Sequence, residues 1–133
     1  ISLEQLGAAA LFNETPASYL KAVNEEYCKR RDTLYNELMK VDGVICEKPM
    51  GAFYIVAKLP VDNAEDFVKW MLQEFRMDGA TVMATPAEGF YATPGLGRDE
   101  IRLAYILKEE DLKVAGKLLA EGLKAYKTAM ANA

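Results

Sequence analysis

Apolar residues recur at helical spacing along the first third of the chain. The segment from Leu3 to about Phe12 follows three- and four-residue steps, which predicts a short helix. Thr15 is placed to cap a second helix, with Pro16 in its first turn, where a missing N–H costs little. That helix is predicted to run for about 26 residues, or about 39 Å, before Gly43 ends it. Its apolar stripe consists of Leu20, Val23, Tyr27, Leu34, Leu38 and Val41.

The middle of the chain changes to short segments rich in β-branched and aromatic residues. Val44–Cys46 and Ala52–Ala57 are therefore predicted to be strands. Asp62 and Glu65 form a capping-box pattern ahead of an amphipathic helix, which Gly79 is expected to stop. The apolar stripe of this helix consists of Phe67, Trp70, Met71 and Phe75.

Two further strands, Ala80–Ala84 and Glu100–Leu107, are predicted on either side of a loop from Thr85 to Arg98. Loops of about 14 residues in compact domains are usually functional or disordered, and Phe90 argues against disorder. A last helix follows. The order of elements predicts an α+β fold, a two-layer sandwich of helices on a small, largely antiparallel sheet. The stripe of the last helix consists of Leu112, Ala115, Leu119, Gly122, Leu123 and Tyr126.

Composition narrows the class of protein. The chain has 133 residues, 51% of them apolar, which suits one compact domain. Its net charge of -4, with scattered Lys and Arg, argues against nucleic-acid binding, and no apolar run is long enough to span a membrane. The absence of His excludes His-based catalytic pairs and metal sites from these residues, and no metal is expected. Cys28 and Cys46 are expected to be free thiols.

Arg102 is the one charged residue within the apolar segment Ile101–Leu107, and this pattern allows two interpretations. A buried guanidinium needs an anion, which in the structural interpretation is Asp99, Glu100 or another carboxylate of the domain, unless the side chain reaches water. In the alternative interpretation the anion is the carboxylate of a ligand, since a guanidinium binds a carboxylate through two parallel bonds. The neighbouring loop, rich in Gly, Pro and aromatic residues, is typical of a pocket wall.

Several motifs taken together resemble class I aminotransferases, which depend on pyridoxal phosphate. Lys48–Tyr54, Thr85–Gly97 and Ile101–Tyr105 carry the resemblance, in the order and spacing of that family's small C-terminal domain. The run Gly89–Gly97 is most similar to bacterial enzymes called aspartate aminotransferases. Ala87 departs from the pattern, because many relatives have Gly there, which puts the backbone shape of the loop in question.

The resemblance implies that substrate-binding and cofactor-binding residues lie in different domains of a larger enzyme. Arg102 matches the arginine that binds the substrate's α-carboxylate, and Phe90 matches an aromatic residue of the pocket wall. The lysine that forms the Schiff base with pyridoxal phosphate would lie in a large domain outside this chain, so no catalytic or cofactor-binding residue is expected here. Residues 1–15 would be a remnant of the large domain or linker. Residues 16–133 would be the small domain, including the long inter-domain helix.

The implied activity is transfer of an amino group from an amino acid, possibly aspartate, to a 2-oxo acid. The implied partners are the large domain and a second copy of the enzyme, the implied location is the cytoplasm, and this chain alone would be inactive. Because Ile1 is not Met and no export signal precedes it, the chain is expected to be a piece of a longer protein. Two alternatives remain open: a free-standing α+β module that binds a carboxylate or a protein, and a relative with lyase chemistry.

Overall fold

The structure, a computed structural model, describes residues 1–132 as helices packed on one small sheet. The last residue of the predicted small domain, Ala133, lies outside the described residues. The α-helices are α1 (Ser2–Glu14), α2 (Ala17–Leu38), α3 (Ala64–Gln73) and α4 (Glu109–Ala131). The strands are β1 (Ile45–Cys46), β2 (Tyr54–Lys58), β3 (Thr85–Pro86) and β4 (Glu100–Ala104), and a 3-10 helix spans Glu88–Phe90.

The strands form a sheet in the order β1-β2-β4-β3, and every neighbouring pair is antiparallel. The predicted α+β fold with a largely antiparallel sheet is therefore confirmed. In the central pair Val56 lies opposite Arg102, and Tyr54 lies opposite Ala104. On the other side of β4, Thr85 of β3 also lies opposite Arg102. The arginine is thus at the centre of the sheet, with a neighbour on both sides.

The two faces of the sheet differ because side chains alternate along each strand. Ile55 and Ala57 of β2 and Ile101 and Leu103 of β4 are buried under the helices. We call this the inner face. The opposite, outer face carries four side chains that are exposed or half-buried within residues 1–132: Tyr54, Val56, Arg102 and Ala104. The core on the inner face is completed by side chains from the helices and loops, chiefly Leu34, Leu38, Phe67, Met71, Tyr105, Leu112, Leu119 and Leu123.

Helix α1 has the predicted periodicity but buries none of its residues within the described chain. Its side chains Leu3, Leu6 and Phe12 are exposed, as are Tyr19 and Leu20 at the start of α2. A row of uncovered apolar side chains therefore runs along the first 20 residues. No helix within residues 1–132 combines the length and apolar content that crossing a membrane requires.

The predicted start of the long helix was wrong by one residue, and its predicted length was too great. Pro16 itself is the N-cap of α2, while Thr15 ends α1 by donating its backbone N–H to the Leu11 carbonyl at 3.1 Å. The helix has 22 residues and ends at Leu38. After Leu38 the chain continues as turns, and Val41 reaches the core from a turn and not from a helix.

The predicted cap of α3 was also wrong. Asn63, and not Asp62, is the N-cap, and its side-chain oxygen accepts the backbone N–H of Glu65 at 2.8 Å and that of Asp66 at 3.4 Å. The amide oxygen does what the capping box would have done from the preceding residue. The helix ends at Gln73, so that Phe75 packs on the core from the segment that follows.

The predicted strand Ala80–Ala84 is not a strand. Only an isolated bridge between Met77 and Ala80 forms there, and the pairing with β4 begins at Thr85. Thr81 instead donates its hydroxyl to the Met71 carbonyl at the end of α3, which directs this segment toward the helix. The other strands are present but shorter than predicted or displaced by one or two residues. Cys28 and Cys46 are free thiols, as predicted.

Candidate functional site

Arg102 projects from the middle of β4 on the outer face, where it is half-buried. Its guanidinium carbon lies over two aromatic rings, 4.4 Å from the ring centroid of Tyr54 and 4.4 Å from that of Phe90. Each cation–π contact at such a partly exposed position is worth about 0.5–1 kcal/mol. The rings partly exclude water from the guanidinium but cannot neutralise its charge. Arg102 is therefore held in place without an anion.

The carboxylates that the structural interpretation offered to Arg102 bind other groups. Asp99 forms an ion pair with the Lys58 ammonium at 2.8 Å, and Glu100 accepts a hydrogen bond from the hydroxyl of Tyr91. Within residues 1–132 no carboxylate lies at ion-pairing distance from Arg102, and its N–H groups have no hydrogen-bond acceptor. The proposed pairing of Arg102 with Asp99 or Glu100 is thus wrong for this structure. The N–H donors of the guanidinium have no carboxylate partner within residues 1–132.

Phe90 reaches Arg102 because the loop after β3 is folded back on β4. The backbone N–H of Ala87 donates to the Glu100 carbonyl at 2.9 Å, and the N–H of Phe90 donates to the Ala87 carbonyl at 2.9 Å. The 3-10 helix Glu88–Phe90 then directs the phenyl ring toward the arginine. Ala87 has φ of -96°, an ordinary value for any residue, so the loop accommodates Ala where many relatives have Gly.

The end of this loop is also tightly built. Gly97 has φ of +72°, and an added Cβ would overlap the ring of Tyr91. The hydrogen bond to Glu100 raises the pKa of Tyr91, so this hydroxyl keeps its proton near neutral pH. In the same way, the hydrogen bond to Asp99 raises the pKa of Lys58. The Tyr91 hydroxyl and the Lys58 ammonium are therefore each bonded to a carboxylate. Neither of them is hydrogen-bonded to Arg102.

The arginines of α2 provide a contrast. Arg30 donates to Glu26 at 2.8 Å and to the Ile106 carbonyl at 2.6 Å. Arg31 donates to Asp32 at 2.8 Å and to the Pro49 carbonyl at 3.2 Å. These side chains join α2 to the segments that follow β4 and precede β2. Nearby, the Tyr105 hydroxyl donates to the carbonyls of Gly51 and Ala52.

Sequence reasoning proposed Arg102 and Phe90 as site residues but missed Tyr54 and Tyr91. It offered Glu100 only as a partner of Arg102, whereas Glu100 is bonded to Tyr91. Alternation along β2 predicts that Tyr54 and Val56 share a face of the sheet. Whether that face also carries Arg102 depends on how β2 pairs with β4, because the register decides which residues lie opposite each other. No local signal in the sequence states this register. The structure brings together Arg102, Phe90 and Tyr54, and their role in binding a substrate stays a prediction.

The fold and this geometry define a class: an α+β domain whose open sheet face carries a half-buried arginine flanked by aromatic rings. Comparison with known proteins agrees with that class and gives the family. The family model for aminotransferase class I and II matches residues 2–117. The chain belongs to this family.

Individual relatives are aminotransferases with different named substrates. The chain is 33% identical over 127 residues to a probable aspartate/prephenate aminotransferase of Aquifex aeolicus, covering 95% of this chain and 29% of that protein. It is 31% identical over 132 residues to an aspartate aminotransferase of Sulfurisphaera tokodaii, with the same coverages. The alanine aminotransferase structure from Pyrococcus furiosus superposes with a TM-score of 0.73 at 29% identity, covering 89% of this chain and 29% of that one. The chain thus spans less than a third of the length of these relatives.

Proposed function

We propose that this chain is the small C-terminal domain of a larger aminotransferase, and that Arg102 binds the α-carboxylate of its substrate. Residues 1–15 would be a remnant of the large domain or linker, and residues 16–133 the small domain. The change from α1, which buries nothing, to α2, which contributes to the core, supports a boundary near Pro16. The whole enzyme would transfer an amino group from an amino acid, possibly aspartate, to a 2-oxo acid in the cytoplasm.

The observation that carries the proposal is the state of Arg102. It lies on the open face of the sheet, it is held by two rings, and no carboxylate of residues 1–132 pairs with it. A planar guanidinium in this state can accept a carboxylate through two parallel N–H···O bonds, which fixes the orientation of the bound molecule as well as its position. Phe90, whose ring is exposed beside the guanidinium, would form part of the pocket wall.

This orientation is the chemical contribution of the domain. An α-carboxylate held at two points restricts rotation of the substrate, so that the bond to be broken at Cα has one direction relative to the reacting groups. Arg102 would transfer no proton, because a guanidinium does not lose its proton at any relevant pH. The domain would therefore act through binding and alignment, and the bond changes would occur elsewhere in the enzyme.

Pyridoxal phosphate, which the family implies, supplies the electron sink for this reaction when it is bound. We propose that the lysine that would hold it belongs to the large domain. Lys58 lies two strand positions from Arg102 across the β2–β4 pair, and its ammonium is paired with Asp99 at 2.8 Å. The cofactor would thus be held by the large domain, and we expect the chain alone to be inactive.

The uncovered apolar row on α1 and the start of α2 fits a surface that the rest of the enzyme covers. Burial of side chains such as Leu6, Phe12 and Leu20 against a large domain would remove apolar area from water and favour their association. A second copy of the enzyme would complete a homodimer. Binding of a carboxylate between Arg102 and groups of the large domain would also favour closure of the cleft.

The test uses the full-length enzyme with Arg102→Gln. Loss of a charged hydrogen-bonding partner of the substrate is expected to lower kcat/KM about 100- to 1,000-fold. Arg76→Gln is the matched control, because Arg76 binds only backbone carbonyls at the end of α3, and its kinetic constants should stay near those of the wild type. An Arg102→Gln enzyme with unchanged kcat/KM would refute the role. Product analysis would reveal lyase chemistry if ammonia were released in place of amino transfer.

A further inference from the structure

The carboxylate of Glu100 is close enough to Arg102 to compete with a substrate's carboxylate for the guanidinium. Glu100 and Arg102 lie two residues apart on β4, so their side chains leave the strand on the same outer face, with Cα atoms about 7 Å apart. Both side chains are long enough to meet over that distance. An ion pair between them would occupy the guanidinium that the substrate needs.

Tyr91 prevents this pairing in the structure by holding the carboxylate of Glu100. Its hydroxyl donates to Glu100 Oε2, while its backbone N–H donates to the Glu88 carbonyl at 3.1 Å. Glu100 is also fixed through its backbone, since its N–H donates to the Gly97 carbonyl at 3.1 Å and its carbonyl accepts the N–H of Ala87. Backbone hydrogen bonds therefore join the loop to Glu100 at Ala87 and at Gly97, before and after Tyr91 in the chain.

Lys58, a second cation close to Glu100, is already ion-paired. Lys58 lies directly opposite Glu100 in the register of β2 and β4, but its ammonium is ion-paired with Asp99 at 2.8 Å. Glu100 has no further hydrogen-bond partner for its side chain within residues 1–132. If the Tyr91 hydroxyl were lost, Glu100 would share its strand face with Arg102, a cation that forms no ion pair within residues 1–132.

We propose that Tyr91 is a positioning residue that keeps Glu100 away from Arg102, and so keeps the guanidinium available for the substrate's carboxylate. This inference rests on the proposed function, because it assumes that Arg102 binds that carboxylate. A partly exposed ion pair is weak, so the competing pair would occupy Arg102 for only part of the time. The apparent affinity for substrate would equal the intrinsic affinity multiplied by the fraction of enzyme in which Arg102 is free.

The experiment compares four variants of the full-length enzyme: Tyr91→Phe, Glu100→Gln, the double variant and Arg102→Gln. The substrate is the amino acid that the wild-type enzyme turns over fastest in a panel of the standard amino acids. Tyr91→Phe keeps the ring against Gly97 but releases Glu100, and it is expected to raise KM about two- to fivefold with kcat little changed. Glu100→Gln removes the competing charge but still accepts the hydroxyl, and KM should not rise.

The double variant gives the decisive result. If Glu100 is the competitor, KM of Tyr91→Phe/Glu100→Gln returns to within about twofold of the Glu100→Gln value, although the hydroxyl is absent. A merely structural role of Tyr91 would leave the double variant as weak as Tyr91→Phe. Tyr126→Phe is the matched control for loss of a hydroxyl, because Tyr126 packs on Phe67 and Trp70 and its hydroxyl makes no hydrogen bond within residues 1–132.

Two results would overturn the inference: an unchanged KM in Tyr91→Phe, or a double variant that fails to recover. Either result together with a large defect in Arg102→Gln would leave the proposed function standing. An Arg102→Gln enzyme with normal kinetics would instead refute the proposed function itself. The failure of the inference and the failure of the function can therefore be distinguished within one set of variants.

Discussion

Ile101 and Arg102 are consecutive residues of one strand, yet they belong to two different regions of the molecule. Ile101 is on the inner face with an exposed fraction of 0%, packed under the helices. Arg102 is on the outer face, where only aromatic rings and the edges of neighbouring strands approach it. The comparison shows that one strand can serve stability with one set of residues and binding with the alternate set, since the two sets point in opposite directions.

The largest effect should follow from breaking the inner face. Ile101→Ala removes buried methyl and methylene groups, so we expect a loss of about 2–5 kcal/mol in the free energy of unfolding. Urea denaturation of the chain, followed by circular dichroism, measures the change. Ile45→Ala is the matched control, because Ile45 is 64% exposed and its truncation should cost far less. Similar losses in the two variants would contradict the division between the faces.

Adding a methyl group at Gly97 tests how closely the loop is packed around the Tyr91 ring. Gly97→Ala requires a left-handed backbone from a residue with a Cβ, at a cost of about 1–2 kcal/mol, and adds an overlap with the Tyr91 ring. Gly95→Ala is the matched control, since Gly95 has φ of +83° and open space around it. We expect the loss of stability in Gly97→Ala to exceed that in Gly95→Ala, as measured by urea denaturation. Equal losses would mean that the Tyr91 contact contributes nothing.

The aromatic support of Arg102 should have a smaller effect, visible in function before stability. Tyr54→Ala removes one cation–π contact worth about 0.5–1 kcal/mol, so KM of the full-length enzyme should rise about two- to fivefold. Tyr54→Phe keeps the ring and should behave like the wild type. If both variants raised KM equally, the tyrosine hydroxyl and not the ring would be the important group.

The smallest effect concerns pH and the arginines on the α2 side of the molecule. The hydrogen bond from Arg31 lowers the pKa of Asp32, and Lys48 acts in the same direction. A carboxyl whose pKa is lower in the folded chain stabilises the fold above about pH 4 and loses that contribution as the pH falls through its folded pKa. Because the pair is partly exposed, we expect at most about 1 kcal/mol.

Urea denaturation between pH 7 and pH 2 tests this pH dependence. Asp32→Asn should lose stability at pH 7 and approach the wild type at the acid end, because the wild-type carboxyl is then protonated. Asp42→Asn is the control, since Asp42 is exposed and forms no ion pair within residues 1–132. A parallel pH dependence in Asp32→Asn and the wild type would contradict the contribution of this pair.

Local patterns sufficed for much of the fold. The stripe Phe67, Trp70 and Met71 correctly predicted α3, and the apolar segment that contains Arg102 correctly predicted β4. The predictions were wrong at positions where neighbouring residues could serve equally well as a helix cap or as the start of a strand. Asn63 caps α3 in place of Asp62, and the strand partner of β4 begins at Thr85 and not at Ala80. Such choices depend on contacts that local periodicity does not contain.

The sequence by itself determined the family, the order of helices and strands, and the position of an arginine among apolar residues of a central strand. The tertiary structure decided which groups surround that arginine. The register of β2 put Tyr54 beside Arg102, the folded loop added Phe90, and Tyr91 took the carboxylate of Glu100. The reason is physical: periodicity along a strand specifies which face a side chain occupies, whereas its neighbours on that face come from strand pairing and loop closure between distant residues.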